Sequence, residues 1–227
     1  MRLPDESLMC FNKQLIEDIL ARDITLVAVT KNKPALAIIE LIKLGVRNIG
    51  ENKVQEFEEK YEQVKTFLDE QSDDVKFHFI GHLQSNKAVK AVEIFDVIQS
   101  IDSLKIAEKV NEASEQLNKR MDVMIQVNIG REEQKYGVNP EKVSEFYEQI
   151  KNLSNINIIG LMCIAPNVDA EKTRVYFQEM KELKEKLNLK ELSMGMTNDY
   201  WVAMEEGSTM LRLGRILYKG FDYCCSG

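Results

Sequence analysis

Residues 26–34 read LVAVTKNKP, and this stretch decides the fold. Apolar and β-branched side chains run from Leu26 to Val29 and stop at Thr30 and Lys31, just before the turn signalled by Pro34. A short apolar run bounded by a turn reads as a buried strand. In a protein of alternating strands and helices, the carboxyl end of a parallel strand is where chemistry is done. A lysine there, with apolar residues behind it, is the kind of amine that condenses with a carbonyl once desolvation lowers its pKa. A solvated lysine closing a first strand is the plainer reading of the segment alone.

The same rhythm continues along the chain. After the first run at 24–30, β-like runs fall at 46–49, 75–80, 95–99, 121–127, 156–161, 191–194 and 210–213. Helical spacing lies between them: Leu104, Ala107, Val110, Ala113 (or Ser114) and Leu117 mark a helix over 103–119, and Val175, Met180, Leu183 and Leu187 one over 170–187. Strands and helices in strict alternation predict an α/β protein, a single (β/α)8 TIM barrel spanning 1–227. An extra N-terminal helix over about 6–21, with Leu8, Phe11, Leu15, Ile19 and Leu20 on one side, is expected to cover the barrel bottom or flank. An open doubly wound sheet competes, but no G-x-G-x-x-G follows the first strand, which weakens its dinucleotide-binding form.

A net charge of −7 and a pI near 5.1 argue against a non-specific nucleic-acid binder. Cys10, Cys163, Cys224 and Cys225 form neither a disulfide framework nor a zinc spacing, which suits a reducing cytosol. The N-terminal MRLPDESLM has no signal-peptide core, and no run of eighteen apolar residues occurs, so a cytoplasmic protein without a membrane partner is expected.

Two segments resemble phosphate cradles. In LSMGMTND, 192–199, Ser193 and Thr197 offer hydroxyls, Gly195 allows close backbone approach, and Asn198 or Asp199 can cap a following helix. In GSTMLRLGR, 207–215, Gly214 follows the last strand and Arg215 adds charge. Either alone is consistent with a simple turn; on adjacent strand ends they fit the usual phosphate site of this barrel. Arg212, flanked by Leu211 and Leu213, should project into the barrel, where it needs a partner: a ligand ring nitrogen or phosphate, or an internal carboxylate. Asn48, Glu51 and Asn52 mark another strand end. His78 and His82 straddle a strand end and a glycine turn, too far apart for a metal, so no metal site is read; His78 is expected to be packed or hydrogen-bonded in the barrel. Lys87 should sit exposed in the first turn of a helix.

Taken together, LVAVTKNKP, IGENKVQEF, FHFIGHLQSNK, QSIDS, QVNIGREEQKYGV, GLMCIAP, LSMGMTND and GSTMLRLGRILYKG resemble the YggS/PROSC family of pyridoxal 5′-phosphate (PLP) homeostasis proteins. The resemblance runs in consistent order from about residue 24 to 222. It implies the barrel of the alanine racemase N-terminal domain, of PLP fold type III. It also implies that Lys31 holds PLP as a Schiff base, and that Ser193, Gly195, Thr197, Gly214 and Arg215 match the phosphate loops. Arg212 then matches the arginine near the pyridine nitrogen, and Asn52 a residue lining the cofactor. Departures are Thr197 where serine is usual, His82 where proline is frequent, a shorter N-terminal helix, and the CCSG tail.

The implied function is binding PLP and taking part in vitamin B6 and amino-acid homeostasis, with little or no catalysis, as a monomer with PLP-dependent apo-enzymes as candidate recipients. A cation at the pyridine nitrogen weakens the ring as an electron sink. Two-base racemisation also needs a group opposite Lys31, which the related racemases take from another domain; Tyr136 and Tyr218 are the stand-ins here. The alternatives are a PLP-dependent amino-acid racemase or decarboxylase, and a cofactor-free Schiff-base aldolase. The absence of a lysine in GLMCIAP, 160–166, weighs against the last.

Overall fold

The computed structural model describes residues 11–71 and 74–218. Its strands are β1 (Thr25–Val29), β2 (Asn48–Glu51), β3 (Lys76–Phe79), β4 (Val97–Ile101), β5 (Met121–Val127), β6 (Ile156–Cys163), β7 (Glu191–Ser193) and β8 (Met210–Leu213). Each pairs in parallel with the next, and β8 returns to β1 through Thr25–Met210 to Ala28–Leu213. That closure makes a (β/α)8 barrel and removes the open-sheet alternative.

The helices are α1 (Lys13–Leu20), α2 (Ala35–Lys43), α3 (Val54–Gln71), α4 (Ala88–Ile94), α5 (Leu104–Gln116), α6 (Val143–Ile150), α7 (Arg174–Lys186) and α8 (Tyr200–Glu205). Residues 6–10 of the expected N-terminal helix and the CCSG tail lie outside the described residues. Within them, α1 takes the flank rather than the bottom. It contacts β1 and the single turn Arg215–Leu217 that follows β8, with Ile16 and Ile19 buried and the Asn12 N–H donating to the Leu217 carbonyl at 2.9 Å. It therefore occupies the place that a helix after β8 would fill.

Strand alternation divides the core in two. Val27, Val97, Met124, Met162 and Met210 pack together inside the barrel. Their neighbours Leu26, Ala28, Ile98, Leu161, Leu211 and Leu213 join the larger core between strands and helices. In that outer layer Phe57 of α3 packs its ring 4.9 Å from Phe77 and 5.0 Å from Phe95, tying α3 to β3 and to the end of α4.

Two strands sit two residues later than the sequence pattern suggests. Val46 belongs to the turn that ends α2, its N–H donating to the Leu41 carbonyl, so β2 begins at Asn48 and runs through Gly50. Phe95 closes α4, and the Asp96 carboxylate accepts from the Phe77 N–H at 2.8 Å, so β4 begins at Val97. Helix faces also differ. Leu104, Leu117 and Val175 are exposed. Steps of three residues drift about 60° per turn, which carries Leu104 to the side opposite Ala113. Leu117 lies past the end of α5, and Val175 lies about 140° around α7 from Met180. The buried faces are Ile106, Ala107, Val110, Ala113 and Ser114 on α5, and Phe177 and Met180 on α7. Lys87 is half-buried in the short turn Ser85–Lys87 that leads into α4, not exposed as expected.

Candidate functional site

Val27 packs inside the barrel, and Lys31 follows the carboxyl end of β1 by two residues, at the mouth end of the barrel. The Lys31 side chain is exposed, because residues 31–34 form a turn beyond the last ladder bond of β1. Strand and helices alone thus do not supply the desolvation expected of a Schiff-base amine.

What they do supply is a clamp on both neighbours of Lys31. The Lys60 ammonium, on α3, donates to the Thr30 carbonyl at 3.2 Å, to Glu51 Oε1 at 2.7 Å and to Glu56 Oε1 at 3.2 Å. The Thr30 hydroxyl donates to Glu51 Oε1 at 2.6 Å. The Asn32 N–H donates to Glu56 Oε1, holding Asn32 at φ 58°. Residues 30 and 32 are therefore both fixed from α3 and β2. Burial raises the Glu51 pKa against the pull of Lys60 and Thr30. Partial burial also pushes Glu56 upward, but the bonds from Asn32 and Lys60 bring it below the usual carboxylate value. Glu51 Oε2 is buried without a hydrogen-bond partner among the described residues. Lys60 and Glu56 escaped the sequence reading, since both sit among the charges of a helix that looks like a solvated face; Glu51 was legible only as a strand-end group.

Arg212 is buried inside the barrel, in register with Val27. Nη1 donates to Ser193 Oγ and Nη2 to the Cys163 carbonyl, each at 2.6 Å. These bonds use two of its five N–H groups. Among the described residues Arg212 makes no direct ion pair; the carboxylate of Asp199 acts on it only at longer range. Burial lowers its pKa, while Cys163 and Asp199 act in the opposite sense.

Around Arg212 lie the two loops singled out in the sequence. The Arg212 N–H donates to the Gly195 carbonyl at 3.1 Å, joining the turn after β7 to β8. Gly195 has φ +93°, and a Cβ there would stand 2.6 Å from the Ala203 Cβ, so only glycine fits. Asp199 precedes α8, but its Oδ1 turns back to accept from the Met196 N–H at 2.7 Å, closing the turn. Since α8 has only six residues, the loop N–H groups, more than a helix dipole, are what this turn offers to an anion. Thr197 is half-buried in this loop. Ser193 lies beneath it, fully buried, with its proton committed to Gln99 Oε1 at 2.7 Å. After β8, Gly214 lies against Val29, close to the base of the Lys31 turn, and Arg215 is exposed. Lys31, Gly214 and Arg215 thus sit on adjacent strand ends, with the turn 193–199 one strand further on.

Asn52 follows β2 on the other side of Lys31, and its Oδ1 is buried without a partner among the described residues. It lines a cavity of about 350 Å³ together with Phe79, His82, Leu83 and Lys87; Lys31 and Arg212 do not line this cavity. Further round the mouth, the His82 ring stacks on Tyr136 at 3.7 Å, and its Nδ1 lies 3.4 Å from Asp102 Oδ2. Tyr218 does not reach the mouth as a free phenol: its hydroxyl donates to the Val29 carbonyl at 3.1 Å. His78 is inside the barrel, its Nε2 at 3.0 Å from Asn48 Oδ1 and its Nδ1 at 3.0 Å from Gln99 Nε2. The two histidines therefore serve different places. Among the described residues no group of three or more His, Cys, Asp or Glu could hold a metal, and no helix is long and apolar enough to cross a membrane.

The model of the alanine racemase N-terminal domain matches residues 8–221. The chain is 38% identical over 205 residues to the pyridoxal phosphate homeostasis protein of Aquifex aeolicus, covering 87% of each chain. It is 37% identical over 218 residues to that of Synechocystis, covering 92% of this chain and 98% of the other. Among solved structures, PipY of Synechococcus elongatus with PLP bound superposes with a TM-score of 0.78 at 34% identity, covering 90% of this chain and 97% of that one. An alanine racemase of Clostridium difficile, at 16% identity and a TM-score of 0.72 over 59% of its length, shares the fold. The closed barrel and these matches together assign the chain: it belongs to the alanine racemase N-terminal domain family, among the pyridoxal phosphate homeostasis proteins.

Proposed function

We propose that this protein binds PLP, holds it as a Schiff base on Lys31, and takes part in intracellular PLP and amino-acid homeostasis with little or no catalysis of its own. The observation that carries the reading is the clamped turn at Lys31 beside the loops of β7 and β8, in a chain that is 34% identical to a PLP-bound relative over 90% of its length. The residues present suit the group. Asn52 offers a buried oxygen with no partner among the described residues, Arg212 keeps N–H groups beyond its two described bonds, and Gly214, half-buried after β8, leaves room beside Val29 for an ester phosphate.

Lys31 would supply the amine, Asn52 would line the ring, and Gly195, Thr197, Gly214 and Arg215 would grip the phosphate. Ser193 would serve from beneath, through Arg212. When bound, PLP supplies an aldehyde carbon that condenses reversibly with an amine. Arg212, matched by resemblance to the ring nitrogen, disfavours protonation there and so favours holding and exchange over carbanion chemistry. We further propose a cytoplasmic monomer that passes PLP to apo-enzymes.

Visible absorbance on adding PLP, followed by borohydride reduction and peptide mapping, tests this. The pyridoxyl group should map to Lys31, and Lys31→Ala should abolish the absorbance; a colourless protein, or label elsewhere with Lys31→Ala unchanged, would refute it. One observation favours a second reading, a racemase or decarboxylase: the His82–Asp102 pair beneath Tyr136 places acid/base groups at the mouth. Turnover of a panel of amino acids, lost in His82→Ala, would support that reading instead.

A further inference from the structure

Arg212 is one end of a line of side chains through the barrel interior, contributed by strands far apart in the sequence. Its Nη1 donates to Ser193 Oγ at 2.6 Å, and Ser193 donates to Gln99 Oε1 at 2.7 Å. Gln99 Nε2 then meets His78 Nδ1 at 3.0 Å, and His78 Nε2 meets Asn48 Oδ1 at 3.0 Å. Ser193, Gln99 and His78 are at most 1% exposed. The line ends at a cavity of about 430 Å³ at the opposite face of the barrel, which Asn48, Lys76, His78 and Asp122 help to line.

Donor chemistry fixes the direction of every bond from one end. A guanidinium only donates, so Ser193 must accept from Arg212 and spend its single proton on Gln99. That sets the Gln99 amide with its oxygen toward Ser193 and its NH2 toward His78. Nδ1 of His78 must then be bare, and its one ring proton sits on Nε2, facing Asn48. Only a neutral ring in one tautomer completes the line. Burial, and to a smaller degree Lys76, push the His78 pKa down to about 3, so the ring is neutral across the physiological range.

We propose that Gln99 and His78 are positioning residues for Arg212, holding its guanidinium through Ser193 in the one orientation that faces the cofactor ring. This rests on the PLP reading given above. Ser193 without the Gln99 acceptor is free to turn, and Arg212 then loses its fixed anchor on that side. The plain alternative is that the line only satisfies buried polar groups and is silent at the cofactor.

The chain has two histidines, so nitrogen NMR of ¹⁵N-histidine-labelled full-length protein resolves His78, with His82→Ala giving the assignment. The expected result is a neutral Nε2–H ring in wild-type protein whose resonances shift when PLP is added and visible absorbance develops. Gln99→Glu keeps the acceptor for Ser193 but sets a second lone pair against Nδ1; it should move the His78 proton to Nδ1 or add a second proton. Gln99→Leu should still take up PLP but release it on the order of tenfold faster, the effect of losing one ordinary hydrogen bond. Thermal melting, measured alongside, separates this from general damage: a silent structural line would lower the melting temperature and leave PLP release unchanged. If absorbance develops while the His78 resonances stay put and Gln99→Leu retains PLP like wild type, the positioning role is overturned and the PLP reading stands. If no absorbance develops in wild-type protein, both fall. Should Gln99→Leu not fold, the wild-type and Gln99→Glu spectra still decide the matter.

Discussion

Replacing Lys60 by methionine keeps most of the side-chain volume and removes the charge that organises the Lys31 turn. Lys60 is 8% exposed and Glu51 1%. Among the described residues, without the ammonium Glu51 Oε1 keeps only the Thr30 hydroxyl, Oε2 has no partner, and the Thr30 carbonyl loses a donor. Breaking a buried ion pair by removing one member costs about 3–5 kcal/mol, mostly the penalty of the charge left behind. The pH dependence identifies that charge. Glu51 has a folded pKa raised by burial above its ordinary 4.5, so its ionised form opposes folding. That opposition is complete above the folded pKa and fades as pH falls toward the unfolded value. Lys60→Met should raise the folded pKa further; a penalty of about 3 kcal/mol borne by one carboxylate corresponds to about two pKa units. Glu56 works in the other direction, its lowered pKa lending stability that is lost on acidification, but it is more exposed and weaker. Urea denaturation followed by circular dichroism between about pH 5 and pH 8 measures the balance. The gap between wild type and Lys60→Met should narrow toward acid, and Glu51→Gln in the Lys60→Met background should recover part of the loss. A cost below about 1 kcal/mol, or a gap that does not change with pH, would refute the reasoning.

Three smaller predictions concern other parts of the molecule. Gly195→Ala forces a Cβ into the space of Ala203 at φ +93° and should cost about 1–3 kcal/mol, read as a lower melting temperature, together with weaker retention of PLP. Cys163 is fully buried, and burial pushes its thiol up to about 12, so the peptide bearing it should stay unmodified by iodoacetamide in native protein and label on denaturation. Arg174 bonds Glu171, Glu205 and Glu206, joining α7 to α8 at the surface; Arg174→Ala should lower stability only slightly in urea denaturation, and less as salt is raised.

The barrel was legible because each strand announces itself locally. Runs such as 121–127 and 210–213 match β5 and β8 residue for residue. Errors fell where a local signal has two meanings. The run read at 46–49 stops short of Gly50, yet Gly50 lies inside β2, where a Cβ would meet the Val27 side chain at 2.8 Å. Leu104 reads as core, yet the rotation of α5 carries it into solvent. Loops were easier to single out than interior partners, since 193–199 and 214–215 are marked by glycine and turn residues in adjacent positions.

The partners of the site were not legible, because they are set by closure of the barrel. Lys60 meets Thr30 across 30 residues of sequence, and Ser193 meets Gln99 across 94. No spacing rule spans such gaps; only the register of eight strands does. The internal polar line has a further physical meaning. Burying a histidine, an amide, a hydroxyl and a guanidinium costs free energy that hydrogen bonding only partly returns, and apolar residues of similar volume pack such positions at less cost. Val27, Val97, Met124 and Met162 fill neighbouring interior positions in just that way. A barrel that keeps its guanidinium at the mouth end of the interior must therefore complete the line beneath it, since one missing member would leave an unpaired group in a dry core. Arg212 fixes the chemistry of the residues below it, and their hydrogen bonds in turn fix where Arg212 faces.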